Sequence, residues 1–213
     1  MEQVIDSLKG NTPIKSLFYA ALGTILGVIT GLIYRVLHRR RLRVLQLSEE
    51  LGKNLEALIE QGEGPTLEFK SSFRWDLEKS SVNRALETVV IKTLAGYMNV
   101  AGGTLLIGVA DNGKILGLDN DYLTLKKKDR DGFEQAVMTA VSTNLGADLC
   151  QFVQILFHSI EKLDVCRVIV APSGRPVIIK QGGNPRLYVR TGGSTRELNV
   201  QEAIDYVSRR WSK

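Results

Sequence analysis

Cysteine and histidine are nearly absent from this sequence. Among 213 residues there are two cysteines, Cys150 and Cys166, and two histidines, His38 and His158. Two thiols cannot make a disulfide framework or a four-thiolate zinc site, and free thiols are expected. Two distant histidines leave no basis for a histidine-rich metal centre or a Ser-His-Asp machine. No GxxxxGK[ST] loop, HExxH helix, nucleophile elbow or dinucleotide fingerprint occurs, so no nucleotide motif is found. Prolines number only five, and apolar residues make up 44% against 24% charged. Those values exclude a collagen-like or wholly disordered chain.

The net charge is +5, and it is local. Residues 1–46 hold seven Lys/Arg and two Asp/Glu, whereas residues 47–213 hold 21 of each sign. Nucleic-acid affinity in the later part must therefore come from local clusters. Ser16 to Tyr34 is a run of 19 residues without a charge. As a helix it extends about 28 Å, enough to cross a bilayer core. A neutral leading stretch and no small-x-small cleavage site argue against a signal peptide. Arg35, Arg39, Arg40, Arg41 and Arg43 follow the run. The positive-inside rule then places the N-terminus outside and the C-terminal part in the cytoplasm, with the arginines at anionic headgroups. Gly23, Gly27 and Gly31 recur every four residues along one stripe, a spacing that lets two membrane helices approach. A homo-oligomer, with a dimer favoured, is the expected assembly. The chain divides into a tail (1–15), a transmembrane helix (16–37), a basic juxtamembrane helix or linker (38–60) and a soluble domain (61–213).

The soluble domain reads as α+β: a mixed, mostly antiparallel sheet with flanking helices. Thr66–Ser71 predicts a first strand. From about Ser81, Leu86, Val89, Val90, Leu94 and Tyr97 mark one apolar helix face. Thr104–Ala110 predicts a buried strand. Asp111-Asn112-Gly113 predicts a hairpin turn, with a return strand over Lys114–Leu118. Asp131 with Glu134 resembles a capping box ahead of Phe133, Val137, Ala140, Val141 and Leu145. Strands are expected near 150–158, 164–171, 176–180 and 186–190. Asn199 with Glu202 starts a last helix with Val200, Ile204, Val207 and Trp211 on its apolar side.

The residues left for chemistry are carboxylates and cations. Glu63 and Glu68 flank a Gly-Pro turn, and Glu68 and Lys70 share a strand face because side chains alternate. Asp111 ends another strand. Oxygen clusters of this kind hold Mg²⁺ or Mn²⁺, which can polarise a phosphodiester while a lysine neutralises charge. Each residue also has a structural explanation, as a solvated acid, a surface pair or a turn former. Arg186, Tyr188 and Arg190 share a second strand face, with Leu187 and Val189 opposite. Arginines flanking an aromatic suit phosphates and a stacked base, and Lys180 and Arg196 lie near in sequence. Arg74 beside Trp75 adds a further cation.

Several segments resemble the AlbA-like domain of the Schlafen superfamily in its bacterial form. They are Glu63–Asp76, Asn99–Gly113, Lys114–Leu118, Asp129–Glu134 and Leu187–Glu197. The resemblance covers about residues 60–211. It implies nucleic-acid binding, to RNA or DNA. In the Schlafen nucleases it also implies metal-dependent cleavage of structured RNA by three carboxylates. Those positions fall on Glu63, Glu68 and Asp111, which would hold Mg²⁺ or Mn²⁺ with Lys70 assisting. Vertebrate Schlafen cores join two such lobes, and this chain has one, so a dimer would supply the second. Two alternatives stand beside the nuclease. One is a non-catalytic DNA- or RNA-binding module tethered to membrane lipid. The other is a membrane-proximal oligomeric sensor or nucleotide-binding protein.

Overall fold

A computed structural model describes residues 12–52, 54–181 and 183–211, with side chains over 15–35, 54–180 and 183–211. The first eleven residues of the expected tail, the side chains of the basic run after Arg35, and Gly182 lie outside this set. Contacts divide the chain into two units, residues 1–49 and 50–213.

The first unit is built on helix α1 (Thr12–Gly52). Within it, Lys15–Arg35 is 21 residues long and apolar enough to cross a membrane, and none of it is buried. Exposed Leu22, Ile25, Leu26, Ile29 and Leu32 are what a lipid-facing helix presents. The helix continues into the expected linker as far as Gly52, because no proline or glycine interrupts residues 32–51.

The second unit is a layered α+β domain. Helix α2 (Leu55–Gln61) is capped by Asn54, whose side chain accepts from Glu56 N–H, and stops at Gly62 with φ +74°. Strand β1 (Leu67–Lys70) pairs in parallel with β4 (Gly103–Ile107), Leu67 opposite Thr104 and Lys70 opposite Ile107. Parallel pairing needs a crossover, which helix α3 (Arg84–Met98) provides. Between β1 and α3 lies a two-strand ribbon, β2 (Trp75–Asp76) and β3 (Ser81–Val82). Short helix α4 (Asp119–Leu123) and helix α5 (Arg130–Asn144) follow β4. A 3₁₀ turn (Ala147–Phe152) leads into β5 (Val153–Ile160) and β6 (Leu163–Val170). The sheet order is β1-β4-β6-β5. A second sheet, β7-β8-β9, joins Ile178–Gln181, Asn184–Thr191 and Ser194–Leu198 in antiparallel register. Helix α6 (Val200–Trp211) ends the described chain.

Alternation along the strands divides the core into two layers. One face carries Leu105, Ile107, Cys166, Val168 and Val170 against Val90, Leu94 and Met98 of α3 and Phe133, Val137 and Val141 of α5. The other carries Leu67, Phe69, Leu106 and Val165 against Leu55 and Leu58 of α2. Each such side chain contributes about 1.5–3 kcal/mol on full burial. Helix α3 also packs on β8 of the second sheet. Asn99 at its C-terminus fixes that contact. The buried Asn99 amide donates to the Val177 and Tyr188 carbonyls, and its oxygen accepts from Val177 N–H.

Several expectations shift. The return strand after Asp111 is reduced to one bridge, Val109 to Ile115. The cap of α5 is Asp129, which accepts from Gly132 N–H, not Asp131. Asp131 instead pairs with Lys127. Val89, expected in the core, is 43% exposed, because Ile91 turns inward beside Val90. Helix α6 has the reciprocal Asn199–Glu202 cap. Its Val200 and Ile204 are exposed, however, and Tyr206 and Trp211 make the packed edge. Cys150 and Cys166 are free thiols.

Candidate nucleic-acid interface

Strand β1 sends Leu67 and Phe69 into the α2 layer, leaving Glu68 and Lys70 on the opposite face, half-buried. Glu63 folds back over the Gly64–Thr66 turn, where its Oε1 accepts from Phe69 N–H at 2.8 Å. Glu68 meets two cations. Its Oε1 lies 2.5 Å from Lys70 Nζ, and its Oε2 lies 2.6 Å from Arg190 Nη2. Lys70 also donates to the Phe69 carbonyl.

Arg190 is the centre of this cluster. Only 1% of its side chain is exposed. Nη2 faces the Gly64 carbonyl at 2.8 Å and the Leu67 carbonyl at 3.3 Å besides Glu68. The guanidinium lies 5.3 Å over the Tyr97 ring. Tyr97 is held there by close packing, because a Cβ on Gly103 would stand 2.3 Å from its ring. Burial pushes the Tyr97 hydroxyl above its usual range, while nearby Arg190 pulls the other way.

The strand face expected to meet nucleic acid is covered. Tyr188 and Arg190 are 4% and 7% exposed because α3 crosses β8 at Gly96, whose Cβ position would lie 3.5 Å from Arg190 N. Arg186 is paired with Glu197 at 2.5 Å, and the Tyr188 hydroxyl donates to the same carboxylate at 3.0 Å. Arg196 is paired with Glu202 at 3.1 Å, and Lys180 is exposed on β7. Arg74 Nε stands 3.1 Å from Glu87 Oε1.

Asp111 does not join Glu63 and Glu68. It is exposed on a turn whose Gly113 lies against Ile59 of α2, the layer beneath the sheet face opposite Glu68. Among the described residues, no three His, Cys, Asp or Glu side chains stand together in a group able to hold an ion. With both Glu68 oxygens on cations and one Glu63 oxygen on a backbone amide, this donor set as placed does not fit a shared Mg²⁺ or Mn²⁺.

Two acids went unnoticed in the sequence. Asp121, 2% exposed, accepts from the Ser72 hydroxyl and from the Phe73, Arg74 and Trp75 amides at 2.8–3.2 Å. Burial raises its carboxyl above the usual range, and these four donors pull it down. It pins the loop that carries Arg74, yet no local motif announces a partner almost fifty residues away. Glu197 was equally hidden, because it faces Tyr188 only through the β8–β9 register.

A family profile described as Schlafen, AlbA_2 matches residues 63–199. Among solved structures, the DIP2311 protein of Corynebacterium diphtheriae is similar at 19% identity with a TM-score of 0.50. The match covers 83% of this chain and 33% of that protein, so the chain spans about a third of its length. The N-terminal domain of an ATP-dependent DNA helicase RecG-related protein from Nitrosomonas europaea is similar at 18% identity, with a TM-score of 0.41. That match covers 70% of this chain and 94% of the other. Among curated proteins, none matches. The first likeness is one of fold, a mixed sheet with flanking helices. The profile spans more than half of the sequence, and the chain belongs to the Schlafen AlbA_2 family.

Proposed function

We propose that this chain is a membrane-tethered nucleic-acid-binding protein whose domain meets its ligand at the Lys70 end of β1. Lys70 is the observation that carries the reading. It is half-exposed beside Glu68, while Arg190 backs that carboxylate from a buried position. An arriving phosphate oxygen takes the place of Glu68 at Lys70 Nζ, and Arg190 keeps Glu68 from following. Family membership supports a nucleic acid as the anion. The apolar segment Lys15–Arg35 supplies the tether, and the arginines after it set the domain on the cytoplasmic side. Gly23, Gly27 and Gly31 leave an open stripe, since a Cβ on any of them meets no atom within 4 Å. A dimer through that stripe would bring two domains to one membrane site.

Metal-dependent cleavage of RNA is the rival reading, favoured by Glu63 and Glu68 closing on one turn. No step is derived through an ion, because the acids as placed do not fit one. The two readings separate in one experiment on the full chain in detergent. Anisotropy of a labelled folded RNA and a labelled DNA strand is followed across salt, in EDTA and in Mn²⁺, with product gels alongside. Binding in EDTA that strengthens as salt is lowered, and weakens about tenfold in Lys70→Ala, is expected. Absence of binding at low salt overturns the proposal. Mn²⁺-dependent cleavage lost in Glu68→Ala replaces it with the nuclease.

A further inference from the structure

A groove of about 820 Å³ runs between α3 and α5, away from the Arg190 cluster. Arg190 stacks at Tyr97, near the end of α3, whereas the groove takes Arg84 and Glu87 from its first turn. Ten helical steps from Glu87 to Tyr97 separate the two places by about 15 Å. The opposite wall follows α5 from Gly132 to Asn144, about 18 Å of helix. Leu125, Ala136 and Ala140 form an apolar floor.

Cations stand where helix stability does not call for them. Arg84 opens α3, and Lys126 and Lys127 precede α5, so each adds positive charge at the positive end of a helix dipole. Neither Arg84 nor Lys126 is paired with an acid among the described residues, and both are exposed. Lys127 is tied to Asp131, and Arg74 faces Glu87. The lysine segment is also fixed in place. A Cβ on Gly132 would stand 1.9 Å from the Lys127 carbonyl, so only glycine lets this loop lie on the first turn of α5. Leu125, 8% exposed, anchors it from the other side. Arg74 enters the groove from the loop that Asp121 pins, four residues beyond Lys70.

We infer that this groove carries the sugar-phosphate backbone of a single-stranded nucleic acid, with Arg84 and Lys126 as its phosphate contacts. The inference rests on the nucleic-acid reading above and names the form of the ligand. Among the described residues no aromatic side chain lines the groove, so bases have no stacking platform there and recognition is of the backbone, without sequence preference. A concave seat walled by two helices suits one backbone, and a duplex is the competitor that tests this. The strand then passes from Lys70 by Arg74 into the groove.

The test uses the full chain in detergent and a 5′-labelled 12-residue oligothymidylate, read by anisotropy from 25 to 200 mM salt. Arg84→Glu/Lys126→Glu changes two exposed side chains that make no described ion pair. It is expected to weaken binding at least tenfold at 50 mM salt. The salt slope should fall by about 1.4, two phosphates at about 0.7 each. An abasic 12-mer should compete within about threefold of the thymidylate, and a blunt 12-bp duplex should compete more than tenfold less well. Binding by the wild type with the double variant within twofold of it overturns the groove and leaves the nucleic-acid reading standing. Equal or better competition by the duplex also overturns it. Absence of wild-type binding to any strand overturns both.

Discussion

Glu68→Ala separates a structural carboxylate from one held ready for an ion. In the folded domain Glu68 faces Arg190, whose side chain is 1% exposed, and Lys70, which is 25% exposed. Removing the acid leaves a buried guanidinium without its countercharge. Breaking one partner of a buried pair costs roughly 3–5 kcal/mol. The Gly64 and Leu67 carbonyls still accept from Arg190, so the lower end applies, about 3 kcal/mol. For a domain of this size that lowers Tm by about 6–12 °C. Trp75 and Trp211, the only tryptophans, both lie in the second unit, so their fluorescence follows its melting without interference from the long N-terminal helix. Arg190→Met alone should be destabilising, and adding Glu68→Gln to it should cost little more, with a coupling above about 1.5 kcal/mol. An acid kept free for a metal behaves otherwise, since its removal leaves stability unchanged or raised. A Glu68→Ala protein melting within about 2 °C of wild type refutes the pair as a structural element.

Three further outcomes are expected. Arg130, by hydrogen bonding first, with Ser159 and Tyr122, holds the Asp164 carboxyl well below the usual carboxylate range. Its stabilisation is therefore fully present above the ordinary aspartate value near 3.9 and is lost as pH falls from there through the lower folded value. Urea midpoints measured from pH 5 to 2 should fall less steeply in Asp164→Asn. Asp121→Ala leaves the Phe73 and Arg74 amides and the Ser72 hydroxyl without their acceptor, while the Trp75 amide keeps the Ser72 hydroxyl, at about 1–3 kcal/mol per buried group left unsatisfied. Hydrogen exchange at residues 72–75 should rise at least tenfold, with the core of β6 spared. Gly27→Ile should reduce cross-linked dimer in detergent without moving the tryptophan melt, because a Cβ at Gly27 meets no described atom within 4 Å.

What the sequence made legible was local. The Asn199–Glu202 cap and the alternation of β1 are patterns within a few residues and form as expected, and the charge-free run is helical. The missed elements depend on distant partners or unusual backbone. The β5–β6 turn places Glu161 and Lys162 at φ +51° and +69°, where Asn-Gly would have signalled a hairpin. Strand β9 carries Ser, Thr, Arg and Glu, a composition that reads as loop until β8 offers it a ladder. The same limit governs the site. Period two correctly set Glu68 beside Lys70 and Arg186 with Arg190, but it could not show that α3 would roof β8.

That roof changes what the arginines do. A cation on an open strand binds a ligand, whereas the same cation beneath a helix must find an acid in its own chain. Arg190 finds Glu68, and Arg186 finds Glu197 at the edge of the cover. Arg190 therefore supports the site from within, whereas Arg186 is spent in a half-exposed pair. The charge left for a ligand moves to residues whose countercharge the fold does not supply, Arg84 and Lys126. An electroneutral domain can in this way still present a cationic path, because Arg84 and Lys126 keep no acid partner among the described residues while Arg74 and Lys127 beside them are paired.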